Sequence, residues 1–93
     1  MMKEARLIVP QHPHVHHLEE TLVRSFGGFT RGSAHGAWRS SKGQVVEEKV
    51  YLYDIAIHDG TWEELLRVAA WVKREQDQEA VYVRDWAGNV VMI

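Results

Sequence analysis

The chain contains no cysteine, which excludes disulfides, thiolate metal sites, iron–sulfur clusters and cysteine nucleophiles. The same absence fits a reducing compartment. No apolar run approaches the length of a membrane span, and the N-terminal stretch MMKEARLIVPQHP has no apolar stretch of signal-peptide length. The expectation is a cytoplasmic protein with no membrane partner. An excess of one charge is missing too: 11 Lys and Arg stand against 13 Asp and Glu, a formal charge of −2. That balance argues against nucleic-acid binding driven by bulk charge. Internal repeats and low-complexity tracts are also absent.

What remains is a chain of 93 residues, 45% of them hydrophobic. That is one domain, residues 1–93, with a single modest core. Arg6-Leu7-Ile8-Val9-Pro10 is rich in branched residues and stops at proline, which predicts a strand from about Glu4 to Val9. His12-Pro13 opens a helix whose Val15, Leu18, Leu22 and Phe26 share one face, and Gly27-Gly28 ends it. Phe29 to Arg39 is strand-like but interrupted by glycines, which predicts a bulge or a closely approached backbone. After a turn at Ser40–Gly43, Val45 to Ile57 is the strongest strand. Tyr51, Tyr53, Ile55 and Ile57 share one of its faces. Val46, Glu48, Val50, Leu52 and Ala56 share the other, together with Asp54. Both faces are substantially apolar, so this strand is expected to be central.

Thr61-Trp62-Glu63-Glu64 has the pattern of a capping box. Trp62, Leu65, Leu66, Ala69 and Val72 then form the buried stripe of a second helix. Ala80–Val83 and Val90–Ile93 close the chain as strands around a turn at Asp85–Asn89. The fold class is therefore α+β: a ferredoxin-like β-α-β-β-α-β sandwich, two helices on one face of an antiparallel sheet, with an extra short C-terminal strand. The opposite sheet face is left uncovered. Tyr51, Tyr53 and Tyr82 are expected to face outward there. An open apolar face in so small a protein implies a homo-oligomer or a ligand.

Three groups of residues carry candidate chemistry. His12, His14, His16 and His17 crowd the first helix start, and His14 and His17 share a helical face suited to zinc or nickel. No HExxH and no obvious fourth ligand accompany them, so a solvated helix N-terminus is the preferred reading. The second group is Gly27 to Gly36 followed by Trp38 and Arg39. Its glycines allow close approach to a ligand, Arg31 and Arg39 offer planar forks for a carboxylate or phosphate, and Trp38 offers a face for a base or cation. Neither a P-loop nor a GxGxxG fingerprint is present. The third is Glu48, a carboxylate among apolar strand neighbours and hence a candidate functional group.

The run FGGFT…GAWRSSKGQVVEEKVYLYDIAI, followed by a capped helix and QEAVYV, resembles small proteins of unassigned activity from bacteriophages, plasmids and actinobacteria. More distantly, the layout is similar to phage S-adenosylmethionine lyases, formerly called hydrolases. The shared elements are Gly36-Ala37-Trp38-Arg39, Glu47-Glu48-Lys49 and the acidic helix end Glu75-Gln76-Asp77. This chain is shorter than those enzymes, and Trp38 stands where they can carry a tyrosine. The resemblance implies a trimer with sites between subunits, no cofactor, and Glu48 positioning the substrate ammonium. Trp38, Tyr51 and Tyr53 would line the sulfonium and adenine, with Gly36 and Arg39 beside them. Three readings follow: an oligomeric accessory module that binds a host protein, an S-adenosylmethionine lyase, and a metal- or nucleotide-binding regulator. The accessory module demands the fewest coincidences and ranks first on sequence.

Overall fold

A computed structural model describes residues 2–13, 15–58 and 60–93. The elements are β1 (Lys3–Pro10), α1 (Val15–Phe26), β2 (Thr30–Arg39), β3 (Val45–Ile57), α2 (Trp62–Glu75), β4 (Tyr82–Arg84) and β5 (Val90–Met92). Both helices are amphipathic. Leu18, Leu22 and Phe26 are the buried positions of α1, and Leu65, Val68, Ala69 and Val72 those of α2. A helix carrying such a stripe is stable only when the stripe meets another apolar surface. Here that surface is one face of the sheet, formed by Ala5, Leu7 and Val9 of β1, Tyr53, Ile55 and Ile57 of β3, and Val83 of β4. Gly27 stops α1 with φ +87° while its N–H still donates to the Val23 carbonyl at 2.9 Å. That left-handed conformation is cheap for glycine alone.

The sheet order is β2-β3-β1-β4-β5, and every neighbouring pair is antiparallel. The β-α-β-β-α-β order and the extra terminal strand are as the sequence predicts, and β3 is indeed interior. Its pairing with β1 runs from Lys3↔Ile57 to Pro10↔Val50. Its pairing with β2 continues past the end of β1 to Arg39↔Val45. The β2–β3 hairpin is therefore an arm that overhangs the rest of the sheet.

Three local expectations need correction. The β2 register is continuous from Thr30↔Asp54 to Arg39↔Val45, so its glycines create no bulge. Thr61 does not form the capping box. Its hydroxyl turns back, accepting from the His58 N–H at 2.9 Å and donating to the His58 carbonyl at 2.7 Å. Thr61 already has helical backbone angles (φ −100°, ψ −1°), whereas a capping side chain needs the extended region to reach the next turn's amides. Finally, Tyr51 and Tyr53 do not face outward. Tyr53 is fully buried against the helices, and Tyr51 is half-buried beside it with ring centroids 6.1 Å apart. Strand alternation puts them with Ile55 and Ile57, and burial of those isoleucines carries the tyrosines inward. The Tyr53 hydroxyl is satisfied there by donating to Glu19 Oε2 at 2.7 Å. Burial first, and that carboxylate second, push its pKa well above the ordinary phenol value.

Candidate functional site

The uncovered sheet face divides into two halves with different chemistry. One half carries the Arg6–Asp54 pair, which sits directly across β1 and β3. Arg6 Nε and Nη2 donate to the two Asp54 oxygens at 2.8 and 3.0 Å. This bidentate bonding holds the Asp54 carboxyl below its usual range against some opposing desolvation. Asp54 is thus a satisfied structural carboxylate.

The other half is a groove of about 690 Å³ whose floor includes Ile8, Val46, Val50, Leu52 and Tyr82. Alternation along β1, β3 and β4 turns these side chains away from the helices. Tyr82 faces outward as the sequence predicts, opposite Ile8. The overhanging arm forms one wall through Gly36, Trp38 and Arg39, and the segment from Asp77 to Ala80 forms the other. The walls touch: the Ser41 N–H and hydroxyl donate to the Glu79 carboxylate at 3.2 and 2.9 Å. That contact joins segments 38 residues apart.

Glu48 lies in this groove, opposite Gly36 in the β2–β3 register. Its Oε1 is shut off from solvent and has no hydrogen-bond partner among the described residues. Desolvation raises its pKa, because no neighbouring cation among the described residues offsets the loss of water. The contrast with Asp54 is direct: two carboxylates on one face of one strand, one neutralised by arginine and the other left open. An orphaned buried carboxylate oxygen costs free energy unless something else supplies a donor.

Gly36 and Trp38 share the outward face of β2. A Cβ built on Gly36 would lie 3.4 Å from Trp38 Cζ3 and 3.4 Å from Val50 Cγ1. The indole therefore leans back along its own strand over Gly36, toward Val50 and the Glu48 position. Its other surface remains open, at 38% exposure. Arg39 lies at the arm's end, exposed at the groove margin.

The remaining candidates fall elsewhere. Tyr51 and Tyr53, expected as ligand-lining rings, are on the helix-covered side of the sheet and outside the groove. Arg31, a candidate anion fork, is on that side too. It bonds Glu19 Oε2 at 2.7 Å and stacks 4.4 Å over the Tyr51 ring. His14 lies outside the described residues. The His16 and His17 rings sit 4.1 Å apart, and among the described residues no three His, Asp or Glu side chains gather as metal ligands. Among the described residues no helix is long and apolar enough to cross a membrane.

Sequence reasoning missed Ile8, Met92 and the Asp77–Ala80 wall. The parity of Ile8 against Leu7 and Val9 was a usable signal, since a branched residue on the face opposite the core predicts an apolar patch there. The wall had no such signal, because its place depends on the non-local Ser41–Glu79 contact.

No family model and no curated protein matches the chain. A solved structure described as a phage SAM lyase in complex with S-methyl-5'-thioadenosine matches over 99% of this chain and 88% of its own, with a TM-score of 0.75 and 16% identity. At that identity the likeness establishes the ferredoxin-like fold alone, and it covers the β2–β3 arm and the terminal strand as well as the common core.

Proposed function

We propose that the protein is a lyase that cleaves S-adenosylmethionine to methylthioadenosine and homoserine lactone in the Glu48 groove. The observation that carries this reading is the desolvated, unpartnered Glu48 oxygen beside an open Trp38 ring in an apolar groove. That combination suits a ligand bearing both an ammonium group, which supplies donors to the carboxylate, and a sulfonium, which an aromatic ring attracts. The fold shared with a phage SAM lyase at 16% identity is consistent with it. A concave apolar groove with one unpartnered carboxylate oxygen suits a small cationic ligand better than a flat docking face, so this reading is preferred to the accessory module.

The reaction needs little from the protein. The substrate's carboxylate oxygen bonds to its own γ-carbon as the γ-carbon–sulfur bond breaks. The bonding pair leaves with sulfur, which becomes a neutral thioether, and no proton moves. Opposite charges vanish along the way, so an apolar environment favours the transition state over the separated ions. Holding the chain folded on itself supplies most of the remaining barrier reduction. Glu48 would fix the ammonium end, Trp38 the sulfonium, and Tyr82 with the apolar floor the nucleoside. Arg39, at the margin, would meet the substrate's polar edge without neutralising the attacking carboxylate. An oligomer belongs to the same reading, since Trp38 and Met92, which line the groove, are 38% and 59% exposed. A second copy packed over them would exclude water from the site.

The test is incubation of the purified, folded protein with S-adenosylmethionine and analysis by mass spectrometry. Equal amounts of methylthioadenosine and homoserine lactone are expected. Absence of both products from folded protein at substrate saturation overturns the reading.

A further inference from the structure

Beyond Pro10 the sheet loses its middle strand. β1 ends there opposite Val50, and Gln11 adds one more bond, donating its N–H to the Lys49 carbonyl at 3.0 Å. The chain on either side continues. On one side β2 and β3 stay paired as far as Arg39↔Val45 and carry Trp38. On the other, residues 77–80 lead into β4. A two-stranded ribbon is marginally stable by itself, so the arm needs a further hold if Trp38 is to keep its place. The Ser41–Glu79 contact joins the two sides, and it uses both oxygens of the carboxylate. The Ser41 N–H donates to Oε2 at 3.2 Å and the Ser41 hydroxyl to Oε1 at 2.9 Å.

Each end of this contact is held from behind. The Ser40 hydroxyl accepts from the Lys42 and Gln44 N–H groups at 3.3 and 3.2 Å, which fixes the turn that carries Ser41. At the other end, Asp77 has φ +51°. The Asp77 N–H donates to the Arg74 carbonyl at 3.4 Å and the Gln78 N–H to the Lys73 carbonyl at 3.0 Å. This left-handed ending stops α2 and turns the chain toward Glu79, in a conformation that strains any residue but glycine. We propose that Glu79 is a positioning residue: by gripping Ser41 it sets the separation of the Trp38 wall from the opposite wall, and with it the width of the groove. The effect on ligand affinity rests on the S-adenosylmethionine reading, whereas the hold on the arm does not. Glu79 acts through Ser41 and not on the ligand, so its charge is dispensable. Glutamine can accept the Ser41 N–H with its oxygen and donate to the Ser41 hydroxyl with its amide nitrogen. Alanine can do neither.

The experiment compares Glu79→Ala, Glu79→Gln, Ser41→Ala and the double variant Glu79→Ala/Ser41→Ala with wild type. Nitrogen-15 relaxation of the Trp38 indole is measured without ligand, and methylthioadenosine affinity by calorimetry. In Glu79→Ala the Trp38 indole is expected to gain motion, and affinity to fall by about threefold to tenfold, the ratio equivalent to one ordinary hydrogen bond. Glu79→Gln should stay within about twofold of wild type in affinity and restore the indole signal. Ser41→Ala, which keeps the N–H bond, should fall between. The double variant should bind no more weakly than Glu79→Ala, because partners in one contact are not additive. Melting temperatures should change little, as for other exposed side chains. An unmoved Trp38 indole in Glu79→Ala overturns the inference. So do additive losses in the double variant, or a Glu79→Gln protein as impaired as Glu79→Ala, which would place the carboxylate on the ligand itself. If Glu79→Ala does not fold, Ser41→Ala and Glu79→Gln decide the matter by the same measurements. If wild type binds no methylthioadenosine, the ligand reading fails and the Trp38 relaxation alone decides the role of Glu79.

Discussion

Glu48→Gln is expected to reduce cleavage of S-adenosylmethionine by about 10²- to 10³-fold, the usual consequence of removing one preorganised electrostatic partner from a reacting site. The substitution keeps the side-chain shape and the groove but replaces a charge by a dipole. Its effect on stability should run the other way. Glu48 has a raised pKa because burial disfavours its charged form, so the folded state binds its proton more tightly than the unfolded state does. The favourable contribution is therefore complete below the unfolded glutamate value of about 4.3 and is lost as pH rises through the folded value. Relative to Glu48→Gln, the wild-type protein should lose stability between acidic and neutral pH, and the variant should melt no lower than wild type at pH 7. Paired denaturation curves across that range check the sign. A Gln variant that turns over at the wild-type rate would refute the role given to Glu48.

Tyr53→Ala is expected to cost about 3–5 kcal/mol of stability, which for a domain of this size lowers the melting temperature by about 15–30 °C. The magnitude follows from position. The Tyr53 side chain has no exposed surface, and its ring meets Phe29 edge-on with centroids 5.3 Å apart. It also anchors the β3–α1 contact through the 2.7 Å bond to Glu19. Truncation removes a large aromatic from the core and leaves Glu19 with Arg31 alone. Tyr53→Phe separates the two effects: it keeps the ring and should cost only about 1 kcal/mol. Thermal melts of both variants decide the matter. A Tyr53→Ala protein that melts within a few degrees of wild type while losing ligand affinity would return Tyr53 to the binding surface.

Tyr53 also marks the limit of what the sequence conveys about this fold. Alternation groups Tyr51 and Tyr53 with Ile55 and Ile57, and Glu48 with Val46 and Val50, and both groupings are correct. Which group meets the helices is not encoded in β3 itself, because both faces are apolar. The answer lies in β1, where Leu7 and Val9 are fully buried and Ile8 is not, and the pairing Leu7↔Tyr53 then turns Tyr53 inward. The helices were legible because their stripes and the Gly27 stop are local signals. The Thr61 cap was misread because the hydroxyl has a nearer partner in His58, a competition that sequence spacing does not rank. Of the groove, Glu48 was legible on strand parity, and Gly36, Trp38 and Arg39 on residue type alone, as a glycine-punctuated segment with an aromatic and a basic side chain. Its second wall was not, because nothing local in Asp77–Ala80 announces that Glu79 will bond Ser41 across the chain.

The central claim is that a sulfur-bearing nucleoside occupies the Glu48 groove and not another part of the surface. The four tryptophans provide a direct readout, since their indole N–H groups give separate signals in a nitrogen-15 correlation spectrum. Trp38 lines the groove. Trp71 packs against the core, and Trp62 and Trp86 meet edge-on, 5.5 Å apart, with Lys3 over the Trp86 ring. Titration with methylthioadenosine is predicted to shift the Trp38 indole signal and the Gly36 amide in a saturable way, leaving the signals of Trp62, Trp71 and Trp86 in place. Saturable shifts centred on Trp86, or no shift at Trp38 at any ligand concentration, would contradict the account.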